Sequence, residues 1–297
     1  MNSPEIPHQF RRAATRMASM LFASMLSLGA GAAIGATPDG VFAAPLSVSD
    51  PLAPAVRSND VDSIAAIGGR EIRLLVWNVH KGSSDQWAGD FKTMSSDSDL
   101  ILLQEAHLHR EFAAGLVDMR RWDLVEAWQH GGAPTGVLTA SKAAPVRVRA
   151  LERREPLLRT DKSALLTEYR LVGTEQTLLV ANIHAINFTP DTRAFREQLN
   201  AVAELVNEHE GPVIFSGDLN TWREGRRAIV EAIARSLGLS EVGFDGPRKR
   251  FGRFPLDHVY YRDLDLLAAD VPAVGSSDHN PLRVRFRNPG RDRDATL

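Results

Sequence analysis

The chain has 297 residues, 43% hydrophobic and 24% charged, a composition that excludes a wholly disordered protein and predicts a sizeable folded core. Its 35 Lys and Arg residues against 37 Asp and Glu give a formal net charge of −2, which excludes the global basic field of a non-specific nucleic-acid binder. Cysteine is absent, so disulfides, thiolate metal sites and a cysteine nucleophile are excluded, and any metal must use oxygen or imidazole ligands.

The first 44 residues are typical of a targeting segment. Arg11, Arg12 and Arg16 precede an uncharged stretch over residues 17–34, and small residues follow. This order predicts a signal peptide at 1–44, or an N-terminal membrane anchor if the segment is retained. Its many Ala, Ser and Gly residues make it weakly apolar and favour cleavage. The protein is therefore expected to be secreted or periplasmic, or else associated with a membrane through this segment.

The remainder of the chain predicts a linker at 45–70, a folded domain at 71–288 and a disordered tail at 289–297. Apolar runs predict strands at 72–79, 100–104, 135–139, 145–151, 164–172, 177–184, 212–215, 256–261 and 282–286. Helical spacing of apolar residues is clearest over 192–208 and 225–237. Because strands outnumber helices and several are consecutive, we expect an α/β (α+β) domain with two packed sheets flanked by helices.

A Gly-Asp-Leu-Asn step at 217–220 directly follows the predicted strand at 212–215. Polar residues at the end of a buried strand emerge at the edge of the sheet, where α/β proteins bind ligands. Asp218 and Asn220 are two residues apart, so we expect their side chains to share one face and to converge on a water molecule and a phosphate oxygen. A plain strand-to-loop turn explains this motif equally well when it is taken alone.

Further apolar strands end in polar residues in the same way. These residues are Asn78, His80 and Lys81; Glu105; Asn182 and His184; Asp257; and Asp278 and His279. The run before Glu105 is too apolar to hold an unpaired carboxylate, and a buried acid needs a partner or a metal. Acids and amides suit Mg²⁺ or Mn²⁺ better than zinc. His279 would neutralise charge on phosphoryl oxygens if a carboxylate, for which Asp257 is the candidate, keeps it protonated.

Together these motifs resemble those of the endonuclease/exonuclease/phosphatase superfamily, which has the fold of deoxyribonuclease I. The resemblance covers about residues 71–286 and is carried by Trp77-Asn78, Gln104-Glu105, Asn182-x-His184, Gly217-Asp218-x-Asn220, Leu256-Asp257 and Ser277-Asp278-His279. The stretches 152–156, 162–165 and 182–188 are further similar to the bacterial YafD-like branch. The resemblance implies a DNase I-like four-layer sandwich of two mixed β-sheets flanked by helices, and a metal-dependent attack of water on a phosphoester.

The resemblance also implies a role for each site residue. The roles are metal ligation by Glu105 and Asn78 with Asp278 nearby, orientation or deprotonation of the water by Asp218, phosphate contacts by Asn220 and His184, and transition-state stabilisation by His279 with Asp257. Several nucleases of the superfamily carry an acid two residues after the first-motif Asn, where this chain has His80, so a second anionic metal ligand is not expected there. His80 and Lys81 are instead predicted to contact the substrate.

A basic run at 248–254 interleaves cations with aromatic residues. We predict that Arg248, Lys249 and Arg250 bind the substrate, with Phe251 or Phe254 stacking on bases. Anionic lipid headgroups and a solvated loop are the other interpretations of the run. Nucleic acid is favoured because nothing else in the chain is a lipid-inserting amphipathic helix.

The predicted function is hydrolysis of a phosphodiester, most simply nucleic acid, with Mg²⁺ or Mn²⁺. The alternatives are a phospholipid or sugar-phosphate phosphodiesterase or phosphatase of the same fold, and a non-catalytic binding module on a degenerate nuclease fold. No assembly signal is evident in the sequence, and a monomer is expected.

Overall fold

The computed structural model describes residues 56–59, 66–157, 160–189 and 191–289. The predicted signal peptide or anchor at 1–44 lies outside these residues, as does the predicted tail from residue 290. Among the helices in the described ranges, none has the length and apolar character needed to cross a membrane.

The elements of the described residues alternate between strands and a few helices. The strands are β1 (Val56–Ser58), β2 (Glu71–Asn78), β3 (Leu100–His107), β4 (Arg121–His130), β5 (Ala133–Ser141), β6 (Arg147–Arg154), β7 (Asp161–Arg170), β8 (Thr177–His184), β9 (Val213–Asp218), β10 (Ser240–Glu241), β11 (Arg250–Phe251), β12 (Phe254–Pro255), β13 (Asp257–Arg262), β14 (Asp265–Asp270) and β15 (Leu282–Arg287). The helices are α1 (Trp87–Ser95), α2 (Arg110–Gly115), α3 (Arg193–Asn207) and α4 (Glu224–Ser236), with a 3-10 turn at His80–Gly82.

Two mixed sheets carry the fold. The first has the strand order β1-β4-β5-β3-β2-β15-β14, and the second has the order β10-β13-β9-β8-β7-β6. Each sheet contains one parallel pair, β2 with β3 and β8 with β9, while the other neighbours are antiparallel. Because the carboxyl ends of parallel strands lie at the same edge, each pair delivers the residues that follow it to one place.

The hydrophobic core has three main parts, one between the two sheets and one on the outer face of each sheet. Between the two sheets, residues such as Leu74 and Val76 of β2 pack with Val180 of β8 and Ile214 of β9. The opposite face of the first sheet packs on α1 and α2, and the opposite face of the second packs on α3 and α4. Both faces of the central strands are therefore buried, which is why these strands have nearly continuous apolar sequences. The predicted four-layer sandwich of two mixed sheets flanked by helices is confirmed.

Several elements differ from the sequence prediction. β1 lies inside the segment predicted as a linker and pairs antiparallel with β4, where Arg57 meets Glu126 at 2.8 Å and the hydroxyl of Ser58 donates to Asp123 at 2.8 Å. Three residues are too few to show a strand period, and the partner is more than 60 residues away. α1, α2 and β14 are likewise absent from the prediction because they are short or carry exposed polar residues, and β4 is absent because the buried polar residues Arg121 and Asp123 interrupt its apolar pattern.

Candidate active site

The candidate site lies where the two parallel strand pairs end beside each other. Asn78 at the end of β2 is in register with Gln104 of β3, and His184 at the end of β8 is in register with Asp218 of β9. Across the sheets, Asn78 Nδ2 donates to Asp218 Oδ2 at 3.0 Å. The motifs predicted from separate strand ends are therefore joined by a direct hydrogen bond between the two halves of the sandwich.

The backbone at these strand ends adopts conformations that side chains rarely permit. Gly217 has φ of 139°, and a Cβ there would lie 2.0 Å from the Ile183 carbonyl oxygen, so only glycine lets β9 approach β8 this closely. Asn220 has φ of 49° and Glu105 has φ of 53°. Glu105 sits in a bulge between β3 and β5, which re-aims its side chain at the edge of the sheet. Residues in such strained backbone conformations cluster at functional sites, where the surrounding structure fixes them.

Asp218 is buried and held from three sides. Besides the amide of Asn78, the backbone N–H of Asn220 donates to Asp218 Oδ1 at 3.1 Å, and His184 Nε2 lies 3.6 Å from Oδ2. The side chain of Asn220 is itself fixed, because its Nδ2 donates to the Ala185 carbonyl at 2.9 Å. This bond uses one of the two amide hydrogens of Asn220. Asp218 therefore has the rigid orientation that positioning a water molecule requires.

His279 and Asp257 form a buried ion pair. His279 Nδ1 lies 2.8 Å from Asp257 Oδ2, and the indole N–H of Trp77 donates to the His279 carbonyl at 2.8 Å. Burial alone would lower the pKa of His279, but the adjoining Asp257 carboxylate raises it to about 10. The imidazole is therefore protonated at neutral pH, with Nε2–H free to donate to a developing negative charge.

Ligand atoms of Asp218, Asp257 and His279 lie within 4.8 Å of one another, a spacing that would also allow a metal ion. An imidazolium has no lone pair to offer a metal, and Nδ1 already donates to Asp257. The chemistry of this trio therefore fits an acid and a base facing a substrate better than it fits metal ligation.

The residues predicted to hold a metal lie on the neighbouring strands. Burial would raise the pKa of Glu105, but the nearby basic groups of Lys81, His184, Lys162 and His80 together lower it further than that, so the carboxylate is ionised. Glu105 Oε2 lies 3.3 Å from Lys81 Nζ, and Oε1 lies 4.0 Å from His184 Nε2, beyond hydrogen-bonding distance. Asn78 Oδ1 accepts from the backbone N–H of His80 at 3.1 Å and keeps a second lone pair.

Asp278, the third predicted metal ligand, lies at the rim and is half exposed. Lys249 Nζ approaches its Oδ2 at 2.9 Å, and His80 Nδ1 lies 3.6 Å from its Oδ1. Burial would raise the pKa of Asp278, but His279 and Lys249 lower it further than that. The oxygen atoms of Glu105, Asn78 and Asp278 suit a hard cation such as Mg²⁺. Such a cation would have to displace the Lys81 ammonium, which pairs with Glu105 in this structure.

The residues predicted to bind substrate do not all face the site. His80 and Lys81 lie in the 3-10 turn beside Asp278 and Glu105, and Lys249 lies at the rim. Arg250 begins the exposed β11–β12 hairpin.

Arg248 is turned inward instead. Its side chain is 10% exposed and lies 3.6 Å from Glu241 and 5.3 Å from the ring centre of Phe244. This geometry gives Arg248 a packing role in the structure, and a substrate contact by this residue stays a prediction.

Two residues at the site carried no functional prediction. Lys162 of β7 is 8% exposed and places Nζ 2.7 Å from His184 Nε2. Arg226 of α4 is fully buried and donates to the carbonyls of Asn187 and Asn220, which braces the loops after β8 and β9. The sequence signals for these two residues are a lysine just before the apolar run at 164–166 and an arginine on the apolar face of a helix.

Comparison with known proteins identifies the family. Residues 75–279 match the sequence profile described as the Endonuclease/Exonuclease/phosphatase family. The chain belongs to this family. It is also 41% identical over 220 residues to a UPF0294 protein of Vibrio campbellii, an alignment that covers 73% of this chain and 77% of that one.

Solved structures of the family share the fold. The human Nocturnin catalytic domain with bound sulfate aligns with a TM-score of 0.59 at 17% identity, covering 74% of this chain and 95% of that one. D. rerio TDP2 complexed with a single-strand DNA product aligns with a TM-score of 0.51 at 15% identity, covering 74% of this chain and all of that one. At such identities the likeness establishes the fold alone. The two packed mixed sheets are therefore an arrangement that this chain shares with both structures.

Proposed function

We propose that this protein is a divalent-metal-dependent phosphoesterase that hydrolyses a phosphodiester, with nucleic acid as its substrate. The observation that carries the proposal is the placement of an oriented carboxylate, Asp218, within 4.8 Å of the Asp257–His279 ion pair. A base and an acid thus face the same small space at the end of two parallel strand pairs, which is the arrangement that hydrolysis of an ester needs.

Each side chain has a separate role in the proposed hydrolysis. Asp218 orients a water molecule and accepts one of its protons while the water oxygen forms a bond to phosphorus. The ester P–O bond opposite the water breaks, and solvent protonates the leaving oxygen. The His279 imidazolium donates Nε2–H to a phosphoryl oxygen as negative charge develops there, and Asn220 holds another oxygen through its remaining amide hydrogen.

A bound Mg²⁺ or Mn²⁺ would supply Lewis-acid stabilisation of the phosphate charge. Glu105 and Asn78 would hold the ion, with Asp278 at the rim. His80 is an imidazole at the position where several family nucleases carry an acid, so the described residues favour one metal rather than two.

The surface next to the site favours a polyanion with aromatic groups. Lys249 lies at the rim, and exposed Arg250 and Arg253 flank half-buried Phe251, whose ring centre is 6.3 Å from that of Trp222. Cations that follow a phosphate backbone, with aromatic rings that stack on bases, are how proteins hold single-stranded nucleic acid. The structural relatives include one protein with a single-strand DNA product and one with a bound sulfate, an anion of phosphate shape.

The proposal is tested by hydrolysis assays on the purified full chain with Mg²⁺, with Mn²⁺ and with EDTA. The substrates are single-stranded and plasmid DNA, RNA, sphingomyelin and an inositol polyphosphate. We expect EDTA-sensitive cleavage of nucleic acid. Cleavage of only the lipid or the sugar phosphate would replace the substrate class, and no turnover by protein shown to be folded would favour the binding module.

We also propose that the N-terminal segment directs the protein out of the cytoplasm, because its charged, apolar and small-residue order is that of a secretory signal. Mass spectrometry of the mature N-terminus after expression in a bacterial host distinguishes a cleaved chain from a retained anchor. We further propose that the enzyme is a monomer, which its mass in solution by light scattering tests.

A further inference from the structure

Lys162 is a buried cation whose charge lacks a close carboxylate. Its side chain rises from the start of β7, and the residue is 8% exposed. Within the part of the chain that the structure describes, no carboxylate oxygen lies within 4.0 Å of Lys162 Nζ. Lys81 and Lys249 at the same site differ, since each meets a carboxylate, at 3.3 Å and 2.9 Å. Buried charges are costly unless they are paired, so Lys162 is prepared for an anion that enters the site.

The neighbour of Lys162 shows how the ammonium is oriented. Lys162 Nζ lies 2.7 Å from His184 Nε2 and 3.5 Å from Nδ1, and an ammonium can only donate, so the nearer nitrogen, Nε2, is the acceptor and the imidazole is neutral. His184 Nε2 also lies 3.6 Å from Asp218 Oδ2 and 4.0 Å from Glu105 Oε1. The Lys162–His184 pair therefore forms the wall of the space between the proposed water-activating carboxylate and the proposed metal ligand.

This arrangement changes the role expected of His184. With Nε2 occupied by Lys162, that nitrogen has no proton to give a phosphate oxygen, whereas the ammonium has two more N–H groups beyond the one that His184 accepts. We propose that Lys162 binds a non-bridging oxygen of the scissile phosphate and that His184 is a positioning residue for it. The inference rests on the proposed function, since it assumes that a phosphate occupies the space between Asp218 and Glu105.

The alternative is that Lys162 only balances the negative charge of Glu105 and Asp218. The two roles differ in what the lysine contacts during turnover. A charge-balancing lysine would stabilise the empty site and would leave the affinity for free phosphate unchanged. A phosphate ligand would add a charge-assisted hydrogen bond to the anion, which is among the stronger polar contacts in proteins.

The experiment compares the full chain with Lys162→Met, Lys162→Arg and a control, Lys142→Met. Lys142 is also partly buried, but it already pairs with Asp99 at 3.2 Å away from the site. Two assays are used. Steady-state kinetics gives kcat and KM on the substrate that the wild type cleaves, and calorimetry gives the affinity for inorganic phosphate. Thermal unfolding of each variant shows whether it is folded.

We expect Lys162→Met to lower kcat/KM by about 100-fold and to weaken phosphate binding by about 10-fold, with Lys162→Arg losing less of both because it keeps the charge. Lys142→Met should match the wild type. Unchanged phosphate affinity in folded Lys162→Met would overturn the proposal, and so would equal losses in the Met and Arg variants. If the wild type binds phosphate but cleaves none of the substrates, the proposed function fails while the phosphate-binding arm still decides the role of Lys162.

Discussion

Replacing Asp257 with Asn should lower the pKa of His279, so that its imidazole loses its proton at neutral pH. Burial lowers the pKa of His279, and the Asp257 carboxylate, with lesser help from Asp218 and Asp278, raises it from 6.5 to about 10; at 1.4 kcal/mol per pKa unit that net rise corresponds to about 5 kcal/mol of interaction free energy. In Asp257→Asn the burial of the imidazole remains and the attraction is lost. The pKa of His279 should then fall to 6.5 or below, leaving the ring neutral at pH 7.5.

The stability cost of this change should depend on pH with a definite sign. A folded-state pKa that is raised stabilises the protein fully below the unfolded value of 6.5, and this stabilisation is lost as the pH rises through 10. The pair should therefore contribute about 5 kcal/mol to the free energy of unfolding at pH 6 and about 1 kcal/mol at pH 9.5. Asp257→Asn should be strongly destabilised at the lower pH and nearly as stable as the wild type at the higher one.

Urea unfolding at both pH values, with NMR titration of labelled histidine, measures the two effects together. Asp265→Asn is the matched control, because Asp265 is exposed and faces Arg287 at 3.6 Å. A surface pair of this kind should contribute less than about 1 kcal/mol at either pH. Equal destabilisation of Asp257→Asn at both pH values, or a wild-type His279 that titrates near 6.5, would refute the assignment of a protonated imidazole.

Three further predictions follow from the geometry of the site. Gly217→Ala should lower the free energy of unfolding by about 3 kcal/mol or more, because its Cβ would lie 2.0 Å from the Ile183 carbonyl oxygen at an unfavourable φ; chemical denaturation measures this, and a cost below 1 kcal/mol would contradict the close approach. Glu105→Gln should weaken Mg²⁺ binding by about 10-fold or more in calorimetry, since a neutral amide replaces the ionised ligand; unchanged affinity would place the ion elsewhere. Replacing Lys249 and Arg250 together with Ala should raise KM for single-stranded DNA while leaving kcat/KM for a small aryl phosphodiester within about twofold, and an equal effect on both substrates would show that the rim does not bind the polymer.

The placement of the site could be predicted because its residues follow the most readable elements of the sequence. The buried strands β3 and β9 begin with short apolar runs at 100–103 and 213–215, and the polar residues within three positions of each run, Glu105 and Asp218, reach the edge of the sheet. Alternate residues of β2 face opposite sides of the sheet: Leu74 and Val76 lie between the sheets, and Leu75 and Trp77 pack against the helices. This two-residue period follows from strand geometry alone.

Other features depend on contacts that the local sequence does not encode. Lys162 meets His184 because β7 lies next to β8 in the second sheet, and Arg226 contacts the loop after β8 because α4 packs near it. The side chain of Arg248 points inward because it contacts Glu241 and Phe244, which lie outside the basic run at 248–254. Strand order and loop packing decide such roles, and neither follows from the spacing of residues along the chain.

The most direct test of the account compares wild type and Asp218→Asn on a fluorescent single-stranded DNA with Mg²⁺, before and after EDTA. Asn fills the same space as Asp and keeps one oxygen, which can accept either from the backbone N–H of Asn220 or from the Asn78 amide but not from both. The variant loses the group that accepts the proton of the water, and circular dichroism shows whether it is folded. We expect EDTA-sensitive cleavage by the wild type and a loss of about 1,000-fold or more in the variant. Cleavage by folded Asp218→Asn at the wild-type rate would contradict it.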